Sequence, residues 1–485
     1  MKQHFWLARV TIQADAPLHI GTGAGDGLRD ALYVRGMGGL PFLPATSLAG
    51  VLRAVMQASA GCAEDQARIV SLFGSIDAPR DNGSSQRARA SRLFVSAGHV
   101  QDQRGVPRGL DDKVDSDPIL SLCAAGATRD HVAISGAGVA DGRGKYDWTS
   151  VPRGARFSFD LRIDGDGDRP VDPRDVAAAK AALAGMRMGA KTRSGLGRLT
   201  VKEALCSERY FDLGKSEDRE LWRTFTRRPA ELVDKLSGAA NWTPSRHEVH
   251  QRASSVQPVT LRLQAQDYLL VGQGVPQDDL DHHWNKARSK ARAKLPITER
   301  CIEWKTDKAA ALSEVLPLVP ASGIKGALRH RTLFHLRRLA GTEVDQLPGE
   351  ALADLFGSIK RGEDGDEDGG GQAGLVFIDD VWLPRSALTA KESSGALTHV
   401  SLDRFTGGPL LGALFGEAPL YRPELKVRIA VLGRPADQSL RKAFIFALRD
   451  LLEGRLALGT GRNAGHGFCT GDVKQLGEFR RWVEG

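Results

Sequence analysis

Apolar and polar positions alternate from Leu7 to Ile12, the period-two signature of a strand with one face in a core. Pro17-Leu18-His19-Ile20 carries it into a glycine-rich run, Gly21–Gly27, and Asp30–Arg35 predicts a short strand with an acidic start. A helix is predicted over about Ser47–Ser59, followed by strands at Arg92–Val95 and Phe157–Ile163. Gln101–Lys145 is irregular and rich in Gly and Asp, suiting either a projecting hairpin or an unordered loop. Asp172-Pro173 opens a helix through 176–186, with Pro at its first position. A glycine turn, Gly189–Arg198, leads into a last strand at Leu199–Val201. Strand, helix, strand, strand, helix, strand predicts an α+β fold on the βαββαβ, ferredoxin-like plan.

The plan occurs twice. Leu40-Pro41-Phe42-Leu43-Pro44-Ala45 returns as Leu316-Pro317-Leu318-Val319-Pro320-Ala321, each before a helix. Leu72–Ser75 returns at Leu355–Ser358, His131–Ile134 at His399–Leu402, and Gly189 with Gly195-x-Gly197 at Gly459 with Gly465-x-Gly467. Matches in one order along the chain mark a duplication. The expected organisation is a first domain over 1–206, a basic connector over 207–255 and a second domain over 256–485. The prolines cannot lie in the helices they precede, so Thr46 or Ser47, and Ser322, are the expected N-caps. The free amides there, with Arg53, Lys325 and Arg329 within reach, suit a phosphate.

The 485 residues include 67 Lys and Arg against 59 Asp and Glu, a mild positive excess compatible with nucleic acid. Five scattered cysteines without a C-x-x-C pair argue against a disulfide framework or a cysteine zinc site. No membrane-spanning run or signal peptide is legible, so a cytoplasmic protein with no membrane partner is expected. A Walker motif is absent, which removes the usual nucleotide-hydrolysing reading of the glycine loops.

These motifs resemble the RAMP superfamily of CRISPR effector proteins, in particular the backbone subunits of type III systems. Two copies in one chain look like the fused double-backbone subunit of type III-D-like complexes. The carrying stretches are His19–Gly23, Leu40–Gly50, His399–Gly408 and Gly459–Gly467. The resemblance implies a subunit that binds CRISPR RNA and its duplex with single-stranded target RNA, beside other Cas subunits of a multi-subunit complex. It implies a thumb hairpin that wedges the duplex, and a loop aspartate that supports target cleavage with a divalent ion, Mg2+ or Mn2+.

Asp30 matches that aspartate, with Asp26 its nearest rival. A carboxylate there could position the attacking 2′-OH or a metal ion, or simply pair with a basic neighbour. In the second copy Glu299 and Arg300 stand where Asp30 would align, leaving either an inactive site or one that recruits Asp281 or Asp279. RNA contacts are expected from Ser47, Arg53, Lys191, Arg193 and Arg198 in the first copy. In the second they are expected from Ser322, Lys325, Arg329, Arg404, Arg462, Asn463 and His466. His466 has no counterpart in the first copy and reads more simply as a structural histidine. His247-x-x-His250 and Asp281-His282-His283 lack partner ligands in sequence. The alternatives are a non-cutting RNA scaffold and a repeat-processing endoribonuclease of the same superfamily.

Overall fold

The computed structural model describes residues 3–75, 88–109, 114–135, 139–225, 240–243, 256–273, 294–341, 349–359, 371–389 and 397–484. Asp278, Asp279, Asp281, His282, His283, His247, His250 and the acidic run 363–368 lie outside them. The chain is a mixed α+β protein with two separate apolar cores, one per half.

The first half is built on β1 (His4–Ala14). Trp6, Ala8, Val10, Ile12 and Ala14 enter the main core, while Phe5 and Leu7 enter a smaller one on the opposite face. Period-two patterning therefore buries both sides of this strand. The short β2 (Phe42–Leu43) leads into α1 (Ala45–Ser59), whose Leu48, Leu52 and Met56 lie one turn apart on the core side. Next come β3 (Leu93–Val95) and β4 (Gly98–Gln101). A hairpin follows, β5 (Ala127–Ile134) with β6 (Ala140–Ser150). After β7 (Arg156–Asp164), α2 (Pro173–Ala184) is capped by the Asp172 carboxylate, which accepts the Arg174 N–H at 2.8 Å. The glycine turn forms β8 (Ser194–Gly195) before β9 (Leu199–Val201). The central order β9–β1–β7–β4 is antiparallel throughout, with Ile12 opposite Val201 and Phe157, and Phe157 opposite Val100. Ser207–Asp212, within the expected connector, pairs along β1 and stacks Phe211 on Phe5.

The second half repeats this order. It contains β10 (Val256–Ala265), then an inserted hairpin, β11 (Ile302–Thr306) with β12 (Ala309–Leu312). β13 (Leu316–Val319) leads into α3 (Ala321–Ala340), and β14 (Val376–Asp379) and β15 (Val381–Trp382) follow. A second long hairpin, β16 (Leu397–Leu402) with β17 (Pro409–Glu417), precedes β18 (Glu424–Val431), α4 (Gln438–Leu452) and β19 (Phe468–Thr470). Its sheet runs β19–β10–β18–β14, again antiparallel.

Each half lends the other a piece. β8 of the first half adds a parallel strand to β14, with Ser194 beside Ile378 and Gly195 beside Asp379. In return, the β11–β12 hairpin lies on the first half and buries Ile302 in its core. Trp304 Nε1 donates to the Gly154 carbonyl at 2.8 Å, and the Arg156 guanidinium sits 3.9 Å above the Trp304 ring. Gly154, at φ +91°, is pressed against the Ile302 carbonyl so closely that a side chain would collide. Among the described residues, no helix is long and apolar enough to cross a membrane.

Candidate nucleic-acid interface

Both Leu-Pro motifs set helix starts earlier than expected. α1 begins at Ala45 and α3 at Ala321, with Pro44 and Pro320 in the cap position and no side-chain cap at either. Proline's fixed φ and extended ψ lead the chain into each helix, so Thr46, Ser47 and Ser322 fall inside the first turn. The starts of α1 and α3 then diverge. At α3 the Ala321 N–H is bonded at 2.8 Å by the Asp380 carboxylate, an internal anion in the place expected for a phosphate. Among the described residues, the α1 start has no such carboxylate. Leu318 pairs with Trp382 as Phe42 pairs with His99, so Asp380 corresponds to Ala97.

Asp380 belongs to a buried trio across the two halves. Arg129, on the first hairpin, forks onto Glu299 at 2.5 and 3.0 Å and reaches Asp380 at 2.7 Å. Burial alone would lower the Arg129 guanidinium, but the two carboxylates hold it well above the ordinary range. Burial, with the Glu299 charge beside it, raises the Asp380 carboxyl despite Arg129. Gly195 fits over this corner because a Cβ there would strike the Asp380 carboxylate.

The glycine turns are stapled in the same way in both halves. Ala190 and Gly197 donate to the His19 and Pro17 carbonyls, and Thr460 and Gly467 donate to Leu270 and Tyr268. A Cβ on Gly189 or Gly459 would lie 2.2 Å from the His19 or Leu270 carbonyl oxygen. The glycines thus serve close backbone contact, and these amides are already bonded. What remains for a ligand is mainly the side chains. Lys191, at φ +55°, bonds the Tyr146 hydroxyl at 3.0 Å and lies over its ring. Arg462 and Asn463 are exposed on a turn between left-handed Gly461 and Gly465. His466 is buried beside Tyr268 with Nδ1 unpartnered. Arg53 is exposed on α1, and Arg404 is exposed at the second hairpin's tip beside Phe405, which is 98% exposed.

The structure brings three expected contacts together at the joint between the halves: Arg193 of the first glycine turn, and Lys325 and Arg329 of α3. Burial first, then the charges of Arg193 and Arg329, pushes the Lys325 ammonium down to about 8. The first hairpin lies against this helix too, since His330 bonds the backbone of Ile134. Arg198 is instead drawn to Asp379 at 2.9 Å, which Arg187 and Arg428 also contact.

Asp30 stands exposed at the foot of the first hairpin, held by a reciprocal pair of bonds. Its N–H donates to Asp147 Oδ1 at 2.8 Å, and its Oδ2 accepts the Asp147 N–H at 2.8 Å. Asp130 is the cross-strand neighbour of Asp147. Asp26 caps its own loop by accepting the Leu28 and Arg29 amides, and those bonds lower its carboxyl. The pairing register gives the second half's equivalents. Gly21 faces Tyr33 and Arg35 faces Pro41, as Gly272 faces Pro296 and Thr298 faces Pro317. Ala31 runs parallel to Trp148 as Lys294 does to Glu417. Asp30 therefore corresponds to the residue before Lys294, an alanine in the sequence, and Glu299 to Gly36. The expected alignment of Glu299 with Asp30 was shifted by six positions, because the β11–β12 insertion follows Glu299. Asp147 and Asp130 correspond to Gly416 and Thr398 in the second hairpin, as the His131–Tyr146 and His399–Phe415 pairs show.

Asp147, Arg187, Asp379, Asp380 and Arg428 were not singled out from sequence. Asp379-Asp380, two carboxylates closing the apolar run Leu375–Ile378, was the available signal.

The two α+β halves meet where Arg193, Lys325 and Arg329 gather beside the buried Arg129–Glu299–Asp380 trio. The sequence model of the RAMP superfamily matches residues 11–200 and 308–470, well over half of the chain and one stretch in each half. The chain belongs to the RAMP superfamily, whose members are CRISPR-associated RNA-binding proteins. No curated protein matches it.

Proposed function

We propose that the chain is a CRISPR-RNA-binding backbone subunit of a type III effector complex, working in the cytoplasm. In this reading its halves are tandem ferredoxin-like domains, 1–206 and 256–485, tied by 207–255. The observation that carries it is the grouping of Arg193, Lys325 and Arg329 at the joint, half-buried and without a carboxylate partner among the described residues. Crowded like charges are costly unless an anion joins them, and a phosphate chain supplies one. The exposed tips of the hairpins, with Val132 and Ile134 on one and Leu402, Phe405 and Leu410 on the other, suit wedging against a guide–target duplex.

Cleavage of target RNA, if the subunit performs it, belongs to the first half. Among the described residues, Asp30 and Asp147 each keep one carboxylate oxygen without a protein hydrogen bond. Two carboxylates fit a divalent ion of the Mg2+ type, which uses one or two protein oxygens and completes its shell with water and phosphate. Among the described residues there is no set of three ligands. Such an ion, held by Asp30 and Asp147, would offset charge on the phosphate. The residues' own task is to keep the Asp30 loop fixed to the hairpin. With alanine and glycine in the equivalent places, the second half is a scaffold.

Purification of the full chain with its bound RNA tests the binding reading. A short RNA of uniform length should co-elute and be lost on Lys325→Glu with Arg329→Glu. Wild-type protein free of RNA and unable to bind added guide would refute it. Cleavage in the assembled complex that survives Asp30→Asn would leave the scaffold reading alone.

A further inference from the structure

Between the two halves lies a cleft of about 810 Å³, lined by the expected contacts Arg193 and Arg198 together with Arg187 and Arg428. One wall is the outer face of α1, with Val51, Ala54 and Val55, and the other is the second sheet around Phe377. Its floor carries an unbalanced charge. Asp379 Oδ1 accepts from Arg187 at 3.1 Å, while Oδ2 accepts from Arg198 at 2.9 Å and Arg428 at 2.7 Å. Four arginines, Arg187, Arg193, Arg198 and Arg428, line the cleft with one acid, Asp15, and three of the four are shared with Asp379 behind them. The Arg198 Nε is buried with no hydrogen-bond partner among the described residues, an unsatisfied donor in the cleft lining. Burial, and the neighbouring arginines, depress Arg187 even with Asp379 in contact.

From the cleft the cations continue outward. Arg193 lies at its edge, and its charge is felt by Lys325, which also feels Arg329 farther along α3. Six cations, Arg187, Arg198, Arg428, Arg193, Lys325 and Arg329, are more than one phosphate group can meet. We propose that single-stranded RNA threads the cleft between the halves. Its phosphates lie on Arg187, Arg198 and Arg428, and a sugar or base packs on the apolar face of α1. This path rests on the RNA-binding reading above and deepens it, by routing the strand through the molecule rather than only across its outer turns. A lone nucleotide offers the same phosphate chemistry but leaves the outward cations unused.

The test uses the full chain, stripped of nucleic acid in high salt, in a Cys62→Ser background that removes the exposed cysteine. Ala54→Cys places an exposed thiol on the cleft wall without touching any arginine. A 20-nucleotide RNA of mixed sequence should slow maleimide labelling of that thiol by about tenfold or more, and adenosine monophosphate should not. Arg428→Gln should weaken RNA binding about tenfold at 0.1 M salt and lower the salt slope by about 0.7. Wild-type binding of RNA with unchanged labelling and no effect of Arg428→Gln would overturn the threaded path and leave the RNA-binding reading intact. Protection by the mononucleotide alone would replace the strand with a free-nucleotide site. No RNA binding by the wild-type chain would overturn both.

Discussion

Replacing Arg129 by Met should loosen the two halves from one another. The Arg129, Glu299 and Asp380 side chains are only 3%, 4% and 2% exposed, and among the described residues the arginine is the cation the two carboxylates share. Removing one partner of a buried ion pair typically costs about 3–5 kcal/mol, because the remaining charge stays desolvated. Here two carboxylates are stranded, so a loss near the top of that range is expected. The expected pH dependence has a definite sign. A carboxyl whose pKa is raised by folding favours the folded state below its unfolded pKa, and loses that advantage as pH rises through the folded value. Asp380 is already raised in the presence of Arg129, and losing the cation raises it further. The Arg129→Met deficit should therefore be full at pH 7 and shrink towards pH 4. Urea unfolding at both pH values measures this, with Asp380→Asn added to Arg129→Met as the rescue, since Asn can still accept the Ala321 N–H. A deficit below about 1 kcal/mol, or one that does not change with pH, would refute the idea that this trio carries the joint.

Lys325, at about 8 in the free protein, should take up a proton on binding a phosphate, so RNA affinity should fall as pH rises from 7 to 9. Lys325→Arg should flatten that dependence in a fluorescence-anisotropy titration. Asp147→Asn should cost target cleavage nearly as much as Asp30→Asn while leaving guide binding unchanged, measured on the assembled complex; full activity would separate Asp147 from Asp30. Trp304→Ala should destabilise by about 2–3 kcal/mol, by removing a half-buried aromatic and the stacked Arg156, and should split thermal unfolding into two transitions. Phe405→Ser, at a tip that touches little, should leave stability within about 0.5 kcal/mol and weaken only duplex binding.

The alternation and the repeats placed the central strands and the glycine turns, because those signals are local. They set the first Leu-Pro helix two residues late, at Ser47 rather than Ala45. The strand expected over Asp30–Arg35 is only isolated bridges at Ala31, Tyr33 and Arg35. The glycines' purpose was less legible. Their spacing fits both an anion cradle and a staple to a distant strand, and only the carbonyls of His19 and Leu270 decide for the staple. Arg129 lies in a stretch that reads as irregular, and its partners are 170 and 251 positions away. No periodicity reports such a contact. The alignment of Glu299 with Asp30 failed for a similar reason. Counting back from an apolar run treats the β11–β12 insertion as the ancestral strand, whereas cross-strand pairing does not depend on inserted length.

That register also explains how one duplicated unit came to serve two ends. At the positions of Asp30, Asp147 and Asp130 the second half has Ala, Gly and Thr, and at the positions of Asp380 and Glu299, which hold Arg129 at the joint, the first half has Ala97 and Gly36. The charges of the Arg129 trio therefore exist on one face of each half only. The second hairpin offers Leu397 where the first offers Arg129, and the α1 start offers no acid to meet an arginine. A second copy of the chain docking in the same manner would find no buried ion pair to form. The covalent joint is thus chemically distinct from any head-to-tail contact the chain could make with itself. Installing Leu397→Arg together with Ala97→Asp and Gly36→Glu should promote self-association of the full chain in sedimentation velocity. An unchanged sedimentation coefficient would show that the trio fastens the halves only because the chain already holds them together.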